Sequence, residues 1–303
     1  MLKEALGSAL GFAVGKILPE RILWIFARRF IAGKDRMAAL GTARRLNKDG
    51  FRISIDYIGE DLSDYNEIQR VKTEYLALVD AMAESKINGD ISLKLSHFGL
   101  QPTGTFEQQY RVFRSVTSVL DIIAADAKKA GIRVWIDAER LELRSDTWSI
   151  AEKLMEVHGN IGVRIQAYAP DAVKFLSRKI QKGWRGAVGV CKGAYREHRS
   201  KVVGGTGLRR NFLDLCAFVA ENGLFLQIDT HNEELSYEAD MLVGNAPHEH
   251  GLLLGVNEPL ACFLQRTAEQ VNIYGPYGFD VRGYAARRIA ERPEYIFLPL
   301  RRA

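Results

Sequence analysis

The stretch IRVWIDAERLELRSDTWSIAEKLMEVHGNIGVRIQAY, residues 132–168, decides the architecture. It opens with a short β-rich run, IRVWID (132–137). It continues through WSIAEKLMEVHG, whose apolar residues recur at helical spacing, and returns to a β-rich run in IGVRIQAY (161–168). Two extended runs joined by a helix predict parallel pairing, because a crossover helix carries the chain back to the start of the sheet. The same alternation extends in both directions. Further extended runs lie at RISIDYI (52–58), ISLKL (91–95), GAVGVCKG (186–193), LFLQID (224–229), GLLLGV (251–256) and VNIYG (271–275). NEIQRVKTEYLALVDAMAES, FEQQYRVFRSVTSVLDIIAADAKKAG and APDAVKFLSRKIQKG supply helical periods between them. Eight such strands predict an α/β fold of the (β/α)8 TIM-barrel type, which takes about 250 residues. A doubly wound open sheet is the other arrangement of this pattern, but no strand here is followed by GxGxxG. No Pro/Gly/Ser-rich linker divides the chain. Residues 1–50 therefore read as an N-terminal helical extension and 51–303 as the barrel.

Composition narrows the class. The chain has 303 residues, 47% hydrophobic and 26% charged, which excludes disorder, a collagenous repeat and a small cysteine-stapled scaffold. The formal charge of +5 is mild, and no basic block of five or more residues points to nucleic acid. Three cysteines (Cys191, Cys216 and Cys262) without CxxC spacing argue against a disulfide framework or zinc knuckle and for a reducing, cytoplasmic setting. His248 and His250 flank Glu249, a pattern that invites a metal but reads as a solvated polar loop, so no metal is expected. Residues 5–15 are apolar but too short to span a bilayer. LPERILWIFARRFIAG (18–33) continues as a basic amphipathic helix, suited to packing on the domain or to peripheral contact with the inner face of the cell membrane.

In such a barrel, chemistry gathers at the C-terminal ends of the strands. Polar residues recur there: Lys94 on the second strand, Asp137 on the third, Gln166 on the fourth and Lys192-Gly193-Ala194-Tyr195 on the fifth. Asp229-Thr230-His231-Asn232 follow on the sixth and Tyr274 on the eighth. Taken singly, Lys94 could point outward and Asp137 could cap the following helix. Strands in phase favour a site, with Lys94 and Asp137 as a partly buried ion pair. After the eighth strand, Tyr284, Arg287, Arg288 and Glu291 stand at i, i+3, i+4 and i+7, on one helix face. RRxxE alone reads as a solvated charged face, although adjacent arginines also suit a carboxylate. Barrel lysines such as Lys94 and Lys192 leave a Schiff-base aldolase open as a distant alternative.

The segments IDYIGED (55–61), SLKLSHFGL (92–100), IDAE (136–139), QAY (166–168), CKGAYRE (191–197), DTHN (229–232) and YGPYG…YAARRIAERP (274–293) together resemble the proline dehydrogenase family. The resemblance covers roughly residues 22–300. It implies FAD-dependent oxidation of L-proline to 1-pyrroline-5-carboxylate, with electrons passed to a quinone, in a barrel whose last helix sits over the mouth. By position, Arg287 and Arg288 match the arginines that hold the proline carboxylate, with Tyr284 beside them. Lys94 matches the lysine near that carboxylate, Asp137 its partner, and Tyr274 the tyrosine that packs on the proline ring; Asp137 and Tyr274 are the catalytic candidates. Gln166, Lys192, Gly193, Ala194, Thr230 and His231 match FAD contacts, Ala138 a backbone contact, and Glu291 a glutamate associated with the arginine pair and the flavin. Two positions depart from the family pattern. Gly189 stands where relatives carry a flavin-side arginine, three residues before Lys192, and Arg196 stands where many have an aromatic or a lysine. Loss of that cation should lower the flavin potential or loosen FAD, unless Arg164 or Arg185 replaces it. It also leaves open oxidation of another cyclic or secondary amino acid, or a catalytically impaired homologue.

Overall fold

A computed structural model describes residues 24, 27–59, 61–195, 197–267 and 269–278. Eight parallel strands close into a barrel in chain order: β1 (Arg52–Tyr57), β2 (Gly89–Leu93), β3 (Val134–Ile136), β4 (Ile161–Gln166), β5 (Ala187–Cys191), β6 (Leu226–Asp229), β7 (His248–Leu253) and β8 (Val271–Tyr277). The ring is completed where β1 pairs with β8, Ser54 opposite Tyr274. Helices α2 (Tyr65–Glu84), α3 (Phe106–Lys129), α4 (Arg144–His158), α5 (Ala172–Gln181), α6 (Gly205–Glu221), α7 (Glu233–Val243) and α8 (Glu258–Arg266) follow the first seven strands. Before β1, α1 (Arg36–Lys48) starts on Asp35, whose side chain accepts from the Ala38 amide, and buries Ala39, Leu40 and Ala43. Of the basic segment 18–33, the described part packs on the barrel. Phe30 and Ile31 are buried, the Ala32 amide bonds to the Pro276 carbonyl, and Gly33 bridges to Tyr277. No helix among the described residues is long and apolar enough to cross a membrane.

Strand alternation sorts the side chains. Ile53, Ile55, Ile91, Val163, Val188 and Ile228 face outward beneath the helices and are fully buried there. Local signals fix the helices over them. Thr105 and Gln108 form a reciprocal capping box at the start of α3, and Asn232 caps α7 by accepting from the Leu235 amide. The inward positions are different in kind. A barrel of this type is usually filled by branched apolar residues. Here the lumen holds Asp56, Asp90, Asp137, Arg164 and Glu249, all buried, and the partly buried Asp229, with Trp135 among them.

Glycines in the strands make room for these large groups. A Cβ at Gly162 would lie 2.5 Å from the Trp135 ring, and one at Gly251 would lie 1.8 Å from Asp229 Oδ1. The strand glycines are therefore required by close approach rather than by turn geometry.

The seventh strand corrects the sequence reading. It begins at His248 rather than near Gly251, so His-Glu-His is strand and not a solvated loop. Glu249 points into the lumen, where Gln227 and Asn272 donate to it at 2.7 and 3.1 Å and Arg52 lies 3.2 Å away. A run of three polar residues hides its strand character, because both faces of that strand are occupied by polar partners.

Candidate active site

A cavity of about 440 Å³ opens at the C-terminal ends of the strands. Of the residues expected at the site, Lys94, Asp137, Ala138, Lys192, Gly193, Ala194, Thr230, His231 and Tyr274 all line it. Gln166 does not; it is turned aside, its amide donating to the Glu139 carbonyl. Tyr284, Arg287, Arg288 and Glu291 lie outside the described residues, as does Arg196.

Lys94 follows β2 directly and reaches into the lumen. Its Nζ donates to Asp56 Oδ2 at 2.7 Å and to the Tyr274 hydroxyl at 3.0 Å, and lies 3.2 Å from Asp137 Oδ2. The expected Lys94–Asp137 pair is thus present, and Asp56 on β1 is a second carboxylate that the sequence reading did not single out. Asp137 is not a helix cap: Tyr274 donates to its Oδ2 at 2.8 Å and Ser92 to its Oδ1 at 2.6 Å. The lysine, two carboxylates and tyrosine hold one another in one orientation. The Tyr75 hydroxyl of α2 braces Asp56 from behind at 3.2 Å. Glu139, buried after β3, accepts from the Ser96 amide and hydroxyl and pins the turn that follows Lys94. IDAE therefore contributes Asp137 and Ala138 to the cavity and Glu139 to its support.

The two carboxylates flanking Lys94 are pushed apart. Burial would raise Asp137, but Lys94 and Arg164, with Ser92 and Tyr274 donating, hold it at about 2. Burial raises Asp56, outweighing Lys94, with Asp137 beside it adding to the rise. Burial also raises Tyr274 well above its ordinary range, so it stays a neutral donor.

Arg164 forms the floor. Its Nη1 donates to Asp137 Oδ1 at 2.6 Å and to Ser92 at 2.7 Å, its Nε to Asp229 Oδ2 at 3.0 Å, and its Nη2 to Gln227 at 2.7 Å. Its guanidinium carbon lies 5.5 Å from the Tyr274 ring centroid. In the sheet register Arg164 pairs with Gly189, and a Cβ there would lie 2.9 Å from Arg164 Cγ and 3.0 Å from Asp229 Oδ2. The room left by Gly189 is filled by the arginine of the neighbouring strand. Arg185 is not the replacement; it bonds the Ile180 and Trp184 carbonyls, before the start of β5. Burial, opposed by Arg164, lifts Asp229 to about 6, with Asp137 and Glu249 adding to the rise.

The rim is made by backbone and short polar side chains. Gly193 has φ +108° and sits where a Cβ would lie 2.0 Å from the Tyr168 ring, so only glycine serves there. The Asn232 amide donates to the Thr230 hydroxyl. His231 Nε2 accepts from the Leu253 amide at 3.3 Å, which places its proton on Nδ1. Cys191 is no nucleophile: burial pushes its thiol to about 12. The chemistry of this donor set fits a flavin. Leu252, Leu253 and Val256 offer an apolar wall, Lys192 and Thr230 a polar rim, and Arg164 a cation beneath.

A sequence profile described as proline dehydrogenase matches residues 39–292. The chain is 30% identical over 275 residues to proline dehydrogenase 1 of Bacillus subtilis (strain 168), covering 88% of this chain and 87% of that protein. It is 25% identical over 284 residues to proline dehydrogenase of Deinococcus radiodurans, covering 91% and 89%. Among solved structures, proline utilization A from Bdellovibrio bacteriovorus, inactivated by N-propargylglycine, superposes with a TM-score of 0.78 at 20% identity. That likeness, over 87% of this chain and 32% of the other, shows the fold. With a profile match across most of its length, the chain belongs to the proline dehydrogenase family.

Proposed function

We propose that this protein oxidises L-proline to 1-pyrroline-5-carboxylate with FAD, and that its electrons leave to a quinone. The observation that carries this reading is the cavity at the strand ends, where Lys94, Asp137 and Tyr274 converge beside the Lys192–Ala194 rim. A bound flavin supplies the two-electron acceptor. The chain supplies position. Lys94, joined by Arg287 and Arg288, holds the substrate carboxylate. Tyr274, fixed by Asp137 and Lys94, sets the ring face. Lys192, Gly193, Ala194, Thr230 and His231 hold the flavin, with Ala138 beside them; Gln166, turned onto the Glu139 carbonyl, supports the strand end instead, and Glu291 keeps the role that the resemblance implies.

Arg164 takes the place of the flavin-side arginine that Gly189 lacks. Its guanidinium is locked by two carboxylates, a serine and a glutamine, so its charge is preorganised beneath the cavity. This supports a competent enzyme over an impaired one, and it also speaks against a site enlarged for a bulkier amine. The barrel is the unit that carries the activity, with residues 1–50 as its extension. The described part of segment 18–33 packs on the barrel, so peripheral contact with a membrane surface, where a quinone is met, falls to its basic side chains.

The test is the visible spectrum of the purified protein before and after anaerobic L-proline. Flavin bands that bleach with proline are expected, and Arg288→Met should raise the proline KM sharply. Bands that persist with proline, or protein that stays colourless with added FAD, would reject the reading.

A further inference from the structure

On the outer face of β7, the face turned away from the lumen, four ligand-type side chains converge. They are Asp240 from the last turn of α7, His248 and His250 from β7, and Glu269 from the segment leading into β8. Their ligand atoms all lie within 4.8 Å of one another. His248 Nε2 is 2.8 Å from Asp240 Oδ1 and 3.6 Å from Glu269 Oε2, and His250 Nε2 is 3.4 Å from Asp240 Oδ1. The edges of a tetrahedral zinc site, with ligands at about 2.0–2.1 Å, are about 3.4 Å.

The orientation of the two imidazoles adds a second observation. His248 Nδ1 donates to the Ala246 carbonyl at 2.8 Å, which holds the ring so that Nε2 is directed at the cluster, against Asp240 Oδ1. A histidine that ligates a metal is commonly held by such a bond from its other nitrogen. His250 is fully buried. Its Nδ1 is 3.1 Å from the Ser236 hydroxyl, while its Nε2 faces the cluster and makes no hydrogen bond. A buried ring nitrogen left without a hydrogen bond costs about 1–3 kcal/mol, and a native structure has a reason for it. Asp240 and Glu269 remain partly open to solvent, which leaves a way in for an ion.

We infer that Asp240, His248, His250 and Glu269 form a binding site for one divalent cation of the zinc class, which ties α7 to β7 and to the start of β8. Two carboxylates balance the charge of the ion, and two imidazoles suit zinc over magnesium or calcium. The cluster lies at the N-terminal end of β7, at the opposite end of the barrel from the cavity. The site is therefore structural and independent of proline oxidation.

The experiment uses the full-length, flavin-loaded protein without an affinity tag. It is stripped with a chelator, loaded with equimolar zinc chloride and passed through gel filtration. One zinc per chain is expected to remain, with the unfolding midpoint raised by several degrees and X-ray absorption showing imidazole and oxygen ligands without sulfur. Glu269→Gln and His248→Asn should each weaken zinc binding by at least tenfold while proline-dependent bleaching is kept, and Glu269→Gln serves as the variant that folds. Sulfur in the zinc shell, zinc retained equally by both variants, or a midpoint unmoved by zinc would overturn the site.

Discussion

Glu249 and the two histidines beside it sit on one strand and live in different worlds. Glu249 faces the lumen, where Arg52 answers its charge and Gln227 and Asn272 donate to it. Among the described residues, the polar partners of His248 and His250 on the α7 side are carboxylates, a serine and a carbonyl, and one ring nitrogen is left without a hydrogen bond. The lumen is matched internally: Lys94 and Arg164 are set among Asp56, Asp137 and Asp229. The outer cluster is matched by what it would bind. Buried charge is costly unless paired, so a partner built into the chain marks a prepared floor, and a missing one marks a ligand.

The largest expected effect breaks the matched side. Arg164→Met strands Asp137 and Asp229 and should cost roughly 3–5 kcal/mol in stability. It should also cut proline-dependent flavin bleaching by about a hundredfold, as loss of a preorganised electrostatic donor does. Stopped-flow bleaching and thermal unfolding check both, and wild-type rates would remove Arg164 from the floor. Moving the charge back sharpens the point. Arg164→Val combined with Gly189→Arg should recover at least part of that loss, because the vacated space lies across the same strand pair.

Next in size is Lys94→Met, which removes two charged hydrogen bonds and should lower kcat/KM for proline by about 1.5–3 kcal/mol, mostly through KM. An effect confined to kcat would reassign Lys94 away from the carboxylate. Tyr274→Phe keeps the ring and loses the hydroxyl that donates to Asp137, so about 0.5–1.5 kcal/mol is expected, read from steady-state kinetics.

A smaller effect concerns pH. Asp229 in the fold titrates near 6, above an ordinary carboxylate, so its ionisation is disfavoured by folding. Stability from this group is therefore fully present below about pH 4 and is lost as pH rises through 6. Asp137, at about 2, works in the opposite sense: its stabilisation is present above pH 4 and is lost as pH falls toward 2. Asp229→Asn should flatten the change in unfolding midpoint between pH 5 and pH 7, and an unchanged slope would place that titration elsewhere. The smallest effect is a control outside both regions. Glu107→Gln breaks an exposed pair with Arg111 on α3 and should leave the midpoint unmoved.

Periodicity determined that eight strands alternate with helices and hence that they pair in parallel, though it placed the start of β7 three residues late. A helix period and a strand run are local properties, and a parallel sheet follows once they alternate. The polar strand ends were legible for the same reason: Lys94, Asp137, Lys192, Thr230 and Tyr274 each stand at a fixed offset from a recognisable strand. Which groups meet was not written locally. Asp56 reads as an ordinary strand residue until β1 closes beside β2 and sets it against Lys94. Gly189 reads as a lost cation until β4 lays Arg164 across it. Glu249 and its flanking histidines read as a polar loop until α7 and the lumen give each face its partners. Pairings of this kind depend on residues tens to hundreds of positions apart, and only barrel closure brings them within hydrogen-bond reach.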